Sequence, residues 1–191
     1  MKLLITRHGQ TEDNANGITM GQRDSKLTAL GIQQAHSKAL QLEKLSQKID
    51  CIFTSDLGRC TETARIISNT LGLPEAIPDS NLREISFGRY EGLPYSTIPS
   101  IEGGYMKVQF PGGESNEEMA IRVIDAINGI YTANKDACVL IISHSGPIAV
   151  ILASYYGKDL QATLNDKVGN EEVIMLQINS MQNLPATTAI F

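Results

Sequence analysis

The chain is poor in the residues that build disulfide frameworks or metal centres. It has three cysteines and three histidines among 191 residues. Cys51, Cys60 and Cys138 match no zinc-ligand spacing, and an odd number argues against a disulfide scaffold. Cys51 and Cys138 flank apolar runs and read as small core residues. Cys60 follows an arginine at an expected helix start, where a reactive thiol is conceivable but a core residue is the better reading. No apolar run is long enough to span a bilayer, and the short N-terminal run is too brief for a secretory signal. Basic residues are outnumbered, 16 Lys and Arg against 21 Asp and Glu, for a net charge of -5. That balance argues against nucleic acid and leaves room for a small cationic pocket that takes a small anion. Two catalytic signatures are also missing: no Gly-x-Ser-x-Gly elbow and no Gly-x4-Gly-Lys loop. These absences point to a cytoplasmic protein with no membrane partner, no metal and no cofactor. A homo-oligomer stays open.

What is present is globular: 42% hydrophobic and 19% charged residues, in a length that suits one domain over residues 1–191. Apolar runs at Lys2–Thr6, Cys51–Thr54, Cys138–Ser143 and Val173–Ile178 read as buried strands. Between them lie helical patterns. Thr28 caps one that runs to about Leu45, with Ile32, Ala35, Ala39, Leu42 and Leu45 on one face. Ser55 or Asp56 caps the next, which reaches Leu71 and ends at Gly72. Ser115 and Glu118 form a capping box for a helix to about Thr132, and Pro147 opens a helix that ends at Gly157. Gln10–Lys26 reads as a loop. Gly88–Gly113 has three prolines, five glycines from Gly92 onward and no clear period; its later part, about 92–113, is expected to be an irregular lid. The alternation predicts a three-layer α/β/α sandwich with a mostly parallel central sheet.

In such sheets ligands sit beyond the carboxyl ends of the strands. Those ends carry His8, Ser55-Asp56 and His144. Arg7 beside His8 pairs a planar fork of donors for phosphate oxygens with a nucleophile that is uncharged over much of the physiological range. Gly9 would let backbone approach a ligand. His36, mid-helix among polar residues, reads as surface. Arg59, unfavourable in the first turn of a helix, either serves the site or pairs with Glu62 or Asp56. Glu84, flanked by apolar neighbours that favour its acid form, is a candidate proton donor. Glu91 rivals it, and residue chemistry does not separate the two.

Six ordered blocks resemble the histidine phosphatase superfamily, in the branch of cofactor-dependent phosphoglycerate mutases and small phosphomonoesterases. They are T-R-H-G-Q-T-E-D-N from Thr6, G-Q-R-D-S-K-L-T-A-L-G-I-Q-Q-A from Gly21, F-T-S-D-L-G-R-C-T-E-T-A from Phe53, L-R-E-I-S-F-G-R-Y-E-G from Leu82, P-G-G-E-S from Pro111 and I-I-S-H-S-G-P from Ile141. The resemblance implies that His8 becomes phosphohistidine, that Arg7, Arg59 and His144 bind the phosphoryl group, and that Glu84 moves the proton. It implies substrate contacts at Arg7, His8, Gly9, Gln10, Thr11, Asn14, Met20, Gly21, Arg59, Glu84 and Ser145. Tyr90 stands where the family's phosphatases often have tryptophan, and Ser145 where a glycine is common. The lid is short beside that of the glycolytic mutases, which implies hydrolysis over transfer.

The expected function is a metal-independent phosphomonoester hydrolase acting on a small soluble metabolite such as a sugar phosphate or phosphoglycerate. A phosphoglycerate mutase and a silent phospho-ligand binding module are the alternatives. Substrate choice falls to lid residues such as Tyr95, Tyr105, Met106 and Lys107, the last as a contact for a carboxylate or as a plain solvated cation.

Overall fold

A computed structural model describes residues 1–45, 47–102, 104–166 and 168–179. Gly103 in the lid and residues 180–191 of the expected domain lie outside the described residues. The strands are β1 (Lys2–Arg7), β2 (Cys51–Thr54), β3 (Ile77–Pro78), β4 (Cys138–Ser143) and β5 (Val173–Gln177), in the order β3-β2-β4-β1-β5. All pair in parallel except β5, which runs antiparallel to β1. The helices are α1 (Glu12–Asn16), α2 (Ala29–Lys44), α3 (Gly58–Leu71), α4 (Asn116–Ala133), α5 (Ser145–Tyr156) and α6 (Leu160–Asn165).

Strand alternation divides the apolar residues between two layers. Leu3, Ile5, Val139 and Ile141 pack with Met119, Val123 and Ile127 of α4 and Ile148 and Ile151 of α5. Leu4, Leu140 and Ile142 pack on the other face with Ala39 and Leu42 of α2 and Cys60, Ala64 and Ile67 of α3. Both faces of the sheet are therefore covered, which is why its central strands read as unbroken apolar runs. Among the described residues no helix is long and apolar enough to cross a membrane.

Local signals set several helix ends. Ser115 and Glu118 close their capping box on α4, and Thr28 accepts from Gly31 at the start of α2, each cap stabilising by about 1 kcal/mol. Gly72 and Gly157 end α3 and α5 in the left-handed conformation. Elsewhere the structure departs from expectation. Ile32 and Leu45 are exposed, and the inward face of α2 is instead Gly31, Gln34, Ala35, Lys38, Ala39 and Leu42. Neither Ser55 nor Asp56 caps α3. Leu57 holds the cap position, and the free amide of Gly58 is met at 3.2 Å by Asp24 from a distant loop. The expected loop Gln10–Lys26 contains α1, capped by Thr11 and Asn14. The Gly88–Gly113 segment holds short 3₁₀ turns at Gly88–Tyr90 and Tyr95–Thr97. Finally, α5 begins at Ser145, ahead of Pro147.

Candidate active site

The pairing register brings the two histidines together. Arg7 at the end of β1 lies opposite Ser143 at the end of β4, and the His8 amide donates to the Ser143 carbonyl at 3.0 Å. The next residue on each strand is a histidine, and their ring centroids are 5.1 Å apart at 61°. His8 is 1% exposed and His144 fully buried.

Each imidazole is fixed in one tautomer. His8 Nδ1 lies 2.7 Å from the Gly9 carbonyl, so it must donate, and the lone pair is left on Nε2. His144 Nδ1 accepts from Arg59 Nε at 3.3 Å, so Nε2 carries the proton and donates to Ser55 Oγ at 2.9 Å. Burial and the neighbouring Arg59 push both rings well below the usual histidine range; Arg7 lowers both further, and His8 adds to the depression of His144. Both are uncharged at neutral pH.

Arg59 is 1% exposed. Its Nη1 and Nη2 donate to the carbonyls of Arg23 and Gly21 at 2.8 and 2.7 Å. The surface pairings considered for it go elsewhere: Glu62 pairs with Arg65, and Asp56 with Arg83. The Arg7 guanidinium donates from Nη1 to the Val168 carbonyl at 2.9 Å, and its buried Nε has no partner among the described residues.

A cavity of about 780 Å³ opens beside these groups. Arg7, Gln10, Asn14, Glu84, Ser145 and Gly146 line it, facing lid residues that include Tyr95 and Tyr105. Glu84 accepts from the amides of Ile85 at 3.0 Å and Gly146 at 3.3 Å. A Cβ on Gly146 would stand 2.3 Å from Glu84 Oε1, so this seat requires glycine. Glu91 does not line the cavity. Its Oε1 is occupied by the amides of Gln22 and Phe87 and by the Ser86 hydroxyl, tying two loops together. Geometry thus separates two carboxylates that residue chemistry leaves equivalent.

His8, Arg59 and His144 are not in the cavity lining; they are buried next to Arg7 and Ser145 along the chain and in space. Thr11, Met20 and Gly21 do not line it either. Thr11 caps α1 and donates to Met20 Sδ, Met20 is buried, and the Gly21 carbonyl holds Arg59. Gly9 is required by packing: a Cβ there would be 2.3 Å from the Gly31 carbonyl of α2. Met106 packs on the core and Lys107 is exposed, both outside the lining. The Cys60 thiol is buried and pushed up to about 12 by that burial, so it is an inert core group. His36 is exposed.

Several supports give no sequence signal. Asn170 donates to the His8 carbonyl at 2.7 Å, Thr63 accepts from the Gly9 amide, and buried Lys38 donates to the Arg7 carbonyl. Arg122 grips Glu114 through two nitrogens and donates to the carbonyls of Asn81, Arg83 and Glu84, which fixes the chain that carries Glu84.

The family model of the histidine phosphatase superfamily (branch 1) matches residues 3–187. The chain belongs to that superfamily. Its enzyme class is accordingly phosphatase. Two similar proteins carry provisional names: phosphoglycerate mutase GpmB of Yersinia enterocolitica, 33% identical over 82% of this chain and 75% of its own length, and phosphoserine phosphatase 2 of Hydrogenobacter thermophilus, 34% identical over 91% and 89%. Among solved structures, a mycobacterial glucosyl-3-phosphoglycerate phosphatase in complex with VO3 superposes with a TM-score of 0.81 at 27% identity, covering 92% of this chain and 90% of that one.

Proposed function

We propose that this histidine phosphatase is a metal-independent phosphomonoester hydrolase working through a phosphohistidine on His8. The observation that carries the reading is the fixed tautomer of His8: Nδ1 is spent on the Gly9 carbonyl, and Nε2 is a neutral nitrogen with its lone pair available. In the first step Nε2 forms a bond to phosphorus as the bond to the ester oxygen breaks. Glu84, in its acid form, passes a proton to that oxygen and the alcohol leaves. In the second step Glu84 takes a proton from water, the water oxygen bonds to phosphorus, and the Nε2–phosphorus bond breaks. The guanidinium groups of Arg7 and Arg59 offset phosphoryl charge in both steps, the task a metal ion performs in other phosphoryl transfers. Neutral His144, with its proton on Nε2, adds a polarisable partner beside His8.

The names of the similar proteins differ in substrate: a phosphoglycerate, phosphoserine and glucosyl-3-phosphoglycerate. They agree on phosphoryl chemistry and do not single out one ester. The reading adopted is hydrolysis of a small soluble metabolite. A screen of phosphomonoesters on protein dialysed against a strong chelator tests it. Release of inorganic phosphate is expected. Isomerisation that needs a bisphosphate primer would favour the mutase alternative, and tight binding of phosphate esters without turnover would favour a binding module.

A further inference from the structure

The cavity is far larger than a phosphoryl group requires, and four aromatic rings stand in its remaining wall among uncharged polar side chains. Phe110, 5% exposed, is its anchor. Tyr105 stacks on Phe110 with centroids 3.9 Å apart at 12°, and Phe87 meets Phe110 edge-on at 4.8 Å. Tyr95 meets Phe87 edge-on at 6.4 Å. All four rings line the cavity. They come from both ends of the lid and from the segment that follows Glu84, and Tyr95 is near enough to Glu84 and Arg7 to feel their charge.

The charge inventory is equally plain. Among the described lining residues, Arg7 and Glu84 are the only Lys, Arg, His, Asp or Glu side chains. Arg7 is committed to the Val168 carbonyl on one side and to the phosphoryl group on the other. Lys107 of the lid lies outside the lining. A carboxylate on the leaving group would therefore find no free cation. It would face the electron-rich faces of the rings, which repel an anion. A flat neutral group would gain from the same surfaces. Gln161, whose amide has no hydrogen-bond partner among the described residues, supplies a neutral polar contact at the lid side.

We infer that the leaving group of the physiological ester is an uncharged, ring-bearing alcohol seated on Phe110, Tyr105 and Phe87, and not a carboxylate-bearing one. This deepens the phosphatase reading and rests on it. Tyr105 and Phe87 become specificity-determining residues.

The test uses the full chain and four esters of comparably poor leaving alcohols: 2-phenylethyl phosphate, glycerol 3-phosphate, O-phospho-L-serine and 3-phosphoglycerate. Phosphate release gives kcat/KM, and calorimetry on the His8→Ala protein gives binding of the intact esters. The ring ester is expected to exceed glycerol 3-phosphate, and to exceed the two carboxylated esters at least tenfold in both readouts. Tyr105→Ala is expected to cut the ratio of ring ester to glycerol 3-phosphate about tenfold through KM. Phe87→Leu, which keeps an apolar group of similar reach, should lower it in the same direction. Lys107→Ala, outside the lining, should leave the ratios in place. Preference for phosphoserine or 3-phosphoglycerate, or an unchanged ratio in both ring variants, overturns the inference. Absence of phosphate release from every ester, with the ring ester still bound tightest, overturns the hydrolase reading and supports the ligand class.

Discussion

Arg59 donates from Nε to Nδ1 of His144 across 3.3 Å while its two terminal nitrogens grip the carbonyls of Gly21 and Arg23. One planar group therefore sets a histidine tautomer and pins a loop. A lysine cannot make three such bonds from one plane. Arg59→Lys is expected to keep the fold and lose about 10²-fold in kcat/KM, the scale of removing one preorganised charge-stabilising group. Steady-state kinetics alongside a thermal melt checks this; near-wild-type kcat/KM in a folded variant would deny Arg59 its role.

Glu84 and Glu91 should part company when the leaving group is varied. An acid matters most for a poor leaving group. Glu84→Gln is expected to slow alkyl phosphates far more than an activated aryl phosphate. Glu91→Gln replaces the charged acceptor that ties Gln22, Phe87 and Ser86 with a weaker, neutral amide oxygen. It should cost about 1–3 kcal/mol in stability and leave the alkyl-to-aryl ratio unchanged. Equal slowing of both substrate types by Glu84→Gln would reassign the acid.

Much of this site was legible because its parts are local. Arg7-His8 and His144 end apolar strands, and a parallel register then makes them neighbours. The Ser115–Glu118 box, the Thr28 cap and the glycines at 72 and 157 act within one turn of their own helices. What was not legible depends on distant chain. The amide of Gly58 is met by Asp24, Gly9 is required by Gly31, and Glu84 is seated by Gly146 and gripped through Arg122. No spacing rule connects such positions. The inward face of α2 keeps Ala35, Ala39 and Leu42 of the apolar pattern and departs from it elsewhere for a related reason. Lys38 turns inward and donates to the Arg7 carbonyl, while the apolar Ile32 is left outside.

Lys38 gives a stability test. Burial, with a smaller contribution from the neighbouring Arg7, lowers its ammonium from 10.5 to about 7. The unfolded chain thus binds a proton that the folded chain does not between those values. Stability is full above the unfolded value, falls as pH drops from 10.5 to about 7, and is level below. The cost at neutral pH is on the order of 4 kcal/mol. Lys38→Met forfeits the bond to the Arg7 carbonyl, about 1–3 kcal/mol, so a net gain of about 2 kcal/mol is expected at pH 7. That advantage should shrink towards pH 10 in paired urea melts. A difference independent of pH would contradict it.

The two buried histidines act at lower pH. Their folded values lie well below 6.5, so the unfolded chain takes up protons first as pH falls through 6.5, and stability drops. Each contributes a slope of about 1.4 kcal/mol per pH unit. Between pH 6 and 5 the urea midpoint should fall steeply, and His144→Asn should remove about half of the slope. An unchanged slope in that variant would mean that His144 is charged in the folded protein.

The most direct test of the account is to trap the covalent intermediate. The enzyme is mixed with a ³²P-labelled ester, quenched in base within milliseconds, digested and mapped. Label on the peptide that carries His8, stable in alkali and lost in acid, is the predicted result, with none in His8→Ala and turnover there reduced by several orders of magnitude. Steady turnover in His8→Ala, or stable label on any other residue, would contradict it.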